Sequence, residues 1–415
     1  MTLIDPKSLP FTDLTERVMF DDPFPRWAEL RANAPVSFGR TRETRTIDCF
    51  LLSRYEDVQF LHSDPRFSSD PTGGEGEPLM MRFLPKTFRI LTDSMVFKDD
   101  PEHKRLRGLV NKAFTPKRVA QMADDVTAVV DRLVDELAAK RTVEFVEDFA
   151  VPLPLAVIAE MLGVRPAERE EFKQAIEVMT DSNSGGAVRQ IPKALASGRR
   201  IRKMLEGLAH DRRANPIDDL ITALVSAREG TEELADNEVV SMLFLLLLAG
   251  HDTTANLLTG SMLAFIEHPE QVERLRAEPE LIDTAVEELL RYTTPVPCGA
   301  VRTLTDDVEI AGSTLPKGSK VLGMIIGANR DESVFDRPEE LDLGREPNRH
   351  LAFAFGSHFC LGNQLARLEA RIALTALVQR FDEISLAVDR SSLRFKPTVS
   401  LRGLAALPLH LGSRS

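Results

Sequence analysis

The stretch from Asp236 to His268 reads DNEVVSMLFLLLLAGHDTTANLLTGSMLAFIEH. Asp236 can cap a helix at its start and Pro269 stops one at its end. Taken as one helix, these 33 residues, 236 to 268 inclusive, span about 50 Å at ~1.5 Å per residue. A helix of that length crosses a whole molecule of this size, and its apolar middle has to be buried.

Helical patterning recurs elsewhere. Gln121 to Lys140 places valine, leucine and alanine at helical spacing between charges. Further helices are expected from Pro279 to Tyr292, before the breakers Pro295 and Pro297, and from just after Cys360 to Phe381. Strand signals are few. Val308 to Ile310 and Lys320 to Ile326 flank the turn-rich AGSTLPKG and read as a hairpin. The Gly- and Pro-rich segment Ser68 to Pro78 and the Gly/Ser/Asn stretch Asp181 to Gly186 are loops, not linkers, because periodic segments resume at once. No fixed-period repeat is present. The expectation is mainly α with a small β portion, as a single domain over residues 1–415.

A net charge of −12 argues against nucleic acid as the main partner, because phosphate binding needs basic surface. Cys49, Cys298 and Cys360 are far apart with no CxxC pair, which excludes a disulfide framework and a four-cysteine zinc site and fits a reducing cytoplasm. Met1 to Phe20 carries five charged residues and no signal-peptide core. The longest apolar run, Met242 to Ala249, falls short of the ~20 residues that span a bilayer.

AGHDTT, Ala249 to Thr254, interrupts the apolar run in mid-helix. Gly250 costs about 1 kcal/mol there relative to alanine, so something should compensate. Ala249 and Gly250 leave room for a flat group against the helix, and the Thr253 hydroxyl can bond a carbonyl one turn back and bend it. Asp252 is an ionisable group in an apolar helix, expensive unless paired or functional. A kinked helix with an ordinary Thr pair reads the same way.

Residues 353 to 362 read FAFGSHFCLG. The chain is loop-like to Phe359 and helical beyond, so Cys360 falls beside a helix N-terminus, where unsatisfied N–H groups favour a thiolate. Gly356 and Gly362 let the backbone wrap round the sulfur and aim N–H groups at it, while Phe353 and Phe359 can keep water away. An isolated cysteine would read as structural, or as a nucleophile activated by His358. The aromatic and glycine spacing favours a metal ligand.

FxxGxxxCxG, filled by Phe353, Gly356, Cys360 and Gly362, resembles the haem-binding signature of the cytochrome P450 family. Two more motifs stand in the family's order. AGHDTT is similar to its (A/G)Gx(D/E)T(T/S), and Glu288 with Arg291, three apart on one helix face, fills ExxR. The resemblance implies the P450 fold, with haem b between the long helix and the cysteine helix and Cys360 on the iron. It implies Asp252 and Thr253 as the proton-delivery pair, with His251 at the variable position. The same resemblance makes Glu288 and Arg291 a structural brace. His103, Arg107, Arg302 and His358 match positions where the family anchors haem propionates, and Ala249, Gly250, Phe353 and Gly362 border the cofactor. Phe97, Phe244, Leu245, Leu248, Cys298 and Val399 match substrate-pocket positions. Leu79, Met80, Met81, Phe83, Leu84 and Phe88 add apolar surface in the loop that roofs such pockets.

The implied activity is insertion of one oxygen atom from O2 into a small apolar or amphiphilic organic molecule. No nicotinamide or flavin fingerprint is present, since Gly74-Glu75-Gly76 lacks a third glycine and opens no helix. Electrons are then expected from a separate ferredoxin and ferredoxin reductase, docked on Arg105, Arg118, Arg367 and Arg371. The chain is expected to be a cytoplasmic monomer without a membrane anchor. A haem-thiolate peroxygenase is disfavoured by the intact acid–alcohol pair, and a non-catalytic haem protein by the lack of a visible sensor or output domain. A non-haem hydrolase has no GxSxG or P-loop to stand on.

Overall fold

The computed structural model describes residues 3–42, 46–71, 94–164, 174, 187–229 and 232–413. Its contacts sort the chain into two compact units, one of residues 1–74, 126–153 and 253–415, the other of 75–125 and 154–252. The long helix runs unbroken from Asp236 to Glu267 and contributes to both. It is apolar and long enough by composition to cross a membrane, and 56 % of its most apolar window is buried inside the protein.

The first unit holds the sheets. Six strands lie in the order Phe11–Asp13, Val36–Arg42, Thr46–Leu52, Lys320–Gly323, Arg302–Leu304, Phe67–Ser68. Three more, Phe381–Leu386, Pro408–Ser413 and Thr142–Glu144, form a second sheet. One core cluster gathers Phe50, Leu52, Val58, Leu304 and Val321, and another gathers Trp27, Cys49, Leu51 and Leu322. Helices Tyr55–Ser63, Ile282–Thr293 and Asn363–Arg380 pack in this unit. The second unit is mainly helical and includes Glu102–Ala113, Ala187–Ala214 and Leu220–Val225.

The expected hairpin is corrected. Val308–Ile310 pairs antiparallel with Ser313–Leu315, whereas Lys320–Gly323 joins the six-stranded sheet beside Thr46–Leu52 and Arg302–Leu304. Ala311 at φ 47° and Gly312 at φ 75° form the tight turn. Two consecutive positive-φ residues are the two-residue hairpin geometry, so the segment read as one long turn contains a turn and a strand.

Candidate functional site

The cysteine loop is built by backbone geometry. Gly356–His358 form one 3-10 turn, Cys360 N–H donates to the Phe353 carbonyl at 2.9 Å, and the Asn363 amide donates to the Cys360 carbonyl at 2.7 Å. The helix Asn363–Arg380 begins three residues past the cysteine. Gly356 has φ +72°, and a Cβ there would run into the carbonyl of His62, so this glycine is obligatory. Gly362 is not forced: its φ is −80° and no atom of the described residues lies within 4 Å of where a Cβ would stand. Phe353 is buried under the guanidinium of Arg367, 4.5 Å from its ring centre. Phe359, expected to shield the sulfur, retains 37 % of its surface exposed. Cys49 and Cys298 are buried and Cys360 is half-exposed. Burial pushes the Cys49 thiol up to about 12, so Cys49 is unsuited to thiolate chemistry.

Two networks, one fully buried and one half-buried, hold the segment that leads into this loop. Arg291 and Glu288 are fully buried and form a two-pronged pair, both bonds 2.8 Å. Arg291 also donates to the carbonyls of Asn329, Pro338 and Glu340. Glu288 accepts from Arg345 Nε, Asn348 Nδ2 and Asp342 N–H, each within 3.1 Å. Sequence reasoning missed Arg345 and Asn348, which no short motif marks. In the second network, burial alone would raise the Glu287 carboxyl, but hydrogen bonds from Arg367 and His350 bring it down to about 2. His350 Nδ1 faces the Ala352 N–H at 3.2 Å, so its other nitrogen carries the proton that reaches Glu287 at 3.0 Å.

The middle of the long helix is buried on one side and accessible on the other. Leu245, Leu246, Leu248, Gly250, Asp252 and Thr253 are partly accessible and Ala249 is exposed; Leu245, Leu248, Ala249, Asp252 and Thr253, spaced by three and four, share one side of this broad face. Phe244 is only 1 % exposed and packs in the core. The helix is α-helical through Asp252 and Thr253, so the expected bend is not a break in its hydrogen bonding. A Cβ on Gly250 would meet Ile158 Cδ1 at 2.9 Å, so the room it leaves is taken by packing. His251 is buried, its Nδ1 3.3 Å from the Leu247 carbonyl and its Nε2 3.4 Å from Asp252 Oδ1.

Of the expected propionate anchors, Arg302 and His358 fall in the sheet-bearing unit. The strand Arg302–Leu304 pairs with Phe67–Ser68, and His358 Nε2 lies 2.9 Å from Ser69 Oγ. His103 and Arg107 share one face of the helix Glu102–Ala113 in the other unit, with His103 Nδ1 3.6 Å from Asp100 Oδ1. Cys298 and Val399 are both buried in the Trp27 cluster, the thiol 3.5 Å from the Val399 carbonyl. Phe97 ends a short 3-10 turn and is half-buried. The roof residues Leu79, Met80, Met81, Phe83, Leu84 and Phe88, and the Asp181–Gly186 loop, lie outside the described residues. The proposed docking cations are already engaged: Arg105 by Glu102 and Glu238, Arg118 by Asp218, Arg367 by Glu287, Arg371 by Asp283. Their charges are neutralised locally, so they do not form a bare basic patch.

The donor set fits a haem. A loop thiol with an open flank at Gly362, His358 in the same loop, and a buried imidazole at His62 whose two nitrogens have no partner among the described residues suit a flat macrocycle with carboxylate arms better than a bare ion. Among the described residues no three His, Cys, Asp or Glu side chains are grouped to hold a metal ion by themselves.

A mainly helical protein with a thiol just before one helix and an acid–alcohol pair on another has the features of the haem-thiolate class. The cytochrome P450 family model matches residues 75–399, and the chain belongs to that family. It is a haem b-dependent monooxygenase with the P450 fold. The polyketide biosynthesis cytochrome P450 PksS of Bacillus subtilis is 38 % identical over 94 % of this chain and 96 % of its own length. The solved structure of PksS matches with a TM-score of 0.87, covering 99 % of this chain and all of that one. Vitamin D(3) 25-hydroxylase of Pseudonocardia autotrophica is 35 % identical over 97 % of both chains. P450BioI, solved with a hexadecenoic acid-ligated acyl carrier protein, matches at 32 % identity, TM-score 0.84, over 95 % of this chain and 99 % of that one.

Proposed function

We propose that the chain, as a single P450 domain, hydroxylates an apolar organic molecule of polyketide, fatty-acyl or steroid-like size, with Cys360 as the iron ligand. The accessible face of the long helix carries this reading: apolar Leu245, Leu248 and Ala249 lead directly to the polar pair Asp252 and Thr253. An apolar wall orients a hydrocarbon by excluding water, and the adjacent carboxyl and hydroxyl can relay protons inward. Relatives named for polyketide biosynthesis and vitamin D hydroxylation, and one solved with a fatty-acyl carrier protein, support that substrate class.

Bound haem supplies oxygen activation and one-electron chemistry. The protein's part is to hold and feed it. The Asp252 side chain is 21 % exposed, so its carboxyl can exchange protons with water and pass them towards the Thr253 hydroxyl. His251 lies between the Leu247 carbonyl and Asp252, its Nε2 3.4 Å from Oδ1, and so borders the carboxyl on the buried side. Arg302, His358, His103 and Arg107 are assigned to the propionates. A separate ferredoxin and its reductase supply the two electrons, because the chain carries no flavin or nicotinamide fingerprint, and a cytoplasmic setting fits three scattered thiols without a disulfide framework.

Titrating the ferric protein with steroids, long-chain fatty acids and macrolactones tests the substrate class. A saturable shift of the haem Soret band with at least one apolar class is expected. Shifts produced only by small polar acids would overturn it.

A further inference from the structure

The helix Tyr55–Ser63 ends where the cysteine loop begins. The His62 carbonyl occupies the space beside Gly356, and the His62 ring lies over Gly299, its Cε1 3.2 Å from the position a Cβ would take there. The side chain is therefore fixed between the cysteine loop and the segment that leads to Arg302. His62 is 8 % exposed, and among the described residues neither Nδ1 nor Nε2 has a hydrogen-bond partner. An imidazole held dry with both nitrogens unsatisfied is costly, and native proteins rarely leave one so. Burial first, then the positive charge of Arg302, hold its pKa down to about 4. The ring is neutral near pH 7, with one N–H to donate and a guanidinium beside it.

The surroundings indicate what the N–H meets. Arg302 stands on the strand that pairs with Phe67–Ser68, and Ser69 bonds His358 of the cysteine loop. A guanidinium, two imidazoles and a hydroxyl are drawn from four chain segments into one corner of the sheet. Such a corner suits an anionic group, and a carboxylate is the acceptor an N–H and a guanidinium can share. We propose that His62 donates a hydrogen bond to a haem propionate alongside Arg302, and so is a positioning residue for the cofactor. The proposal rests on the haem-thiolate reading above.

The test is haem transfer from the reconstituted holoprotein to excess apomyoglobin, for wild type, His62→Leu and His62→Gln, with resonance Raman of the propionate bending band. Losing one hydrogen bond to a charged group corresponds to about tenfold in an equilibrium. His62→Leu should lose haem about tenfold faster and shift the band. His62→Gln, which keeps a donor, should stay within about threefold of wild type on the same scale. A Leu variant with wild-type release and an unshifted band overturns the proposal. So does a Gln variant that releases haem as fast as Leu, since the ring would then only pack. If His62→Leu fails to accumulate, His62→Gln decides alone: release within about threefold of wild type with an unshifted band supports the proposal, and release about tenfold faster overturns it. A wild-type protein without a thiolate-type carbon monoxide spectrum would instead refute the haem-thiolate reading itself.

Discussion

Replacing Glu288 by leucine should be among the most damaging single changes in the chain. The carboxylate is fully buried and faces two guanidiniums, Arg291 at 2.8 Å and Arg345 at 3.0 Å, plus the Asp342 N–H and the Asn348 amide. Arg291 is itself fully buried, and the Arg345 side chain is 10 % exposed, so neither can turn to water. Breaking a buried pair by removing one partner costs about 3–5 kcal/mol. Each stranded neutral donor adds roughly 1–3 kcal/mol. The sum approaches the ~5–15 kcal/mol that holds a typical protein folded. Glu288→Leu should therefore lower the urea midpoint of the haem-loaded protein by the equivalent of at least about 3 kcal/mol, or prevent its accumulation. The double variant Glu288→Leu with Arg291→Leu should cost less than the sum of the singles, because one of the two buried cations goes with the anion. A cost below about 1 kcal/mol for Glu288→Leu, with haem retained, would refute the view that this pair braces the cysteine loop.

Other perturbations read other parts of the site. Glu287 titrates at about 2 in the folded protein against an ordinary 4.5, so its stabilisation is complete above pH 4.5 and is lost as pH falls towards 2. At ~1.36 kcal/mol per pH unit the effect is about 3 kcal/mol, and acid unfolding of Glu287→Gln should lack that component. Thr253→Ala should release reduced oxygen as peroxide and lower product per electron pair by about tenfold or more; full ferredoxin-driven coupling would revive the peroxygenase reading. Gly356→Ala should weaken haem retention, because a left-handed backbone costs an L-residue about 1–2 kcal/mol and its Cβ meets the His62 carbonyl. Gly362→Ala, with no atom of the described residues in the way, should leave the fold intact, which separate urea curves would show.

What the sequence made legible was set locally. The long helix ends at Glu267, one residue short of the expected His268, because a capping acid and a following proline bound it. The ExxR pair and the cysteine loop lie where their motifs put them. The errors arose where neighbours in space decide. Ala311 takes a positive φ that its residue type does not advertise, so a strand was read as part of a turn. Residue type alone does not separate the buried Phe244 from the partly accessible Leu245 and Leu248. The four arginines of the expected docking patch look free in a linear sequence, yet their partners Glu238, Asp218, Glu287 and Asp283 come from distant segments. Arg345 and His62 carry no motif, and their importance follows from burial against Glu288 and beside Arg302.

The most direct measurement is the absorption spectrum of the reduced protein with carbon monoxide, recorded for wild type, Cys360→Ala and Cys298→Ala. Wild type and Cys298→Ala should both show thiolate-type absorption, since Cys298 packs against Val399 in the core. Cys360→Ala should lose it while still folding. Thiolate-type absorption that survives Cys360→Ala, or its absence from the wild-type protein, would contradict the assignment of Cys360 as the iron ligand.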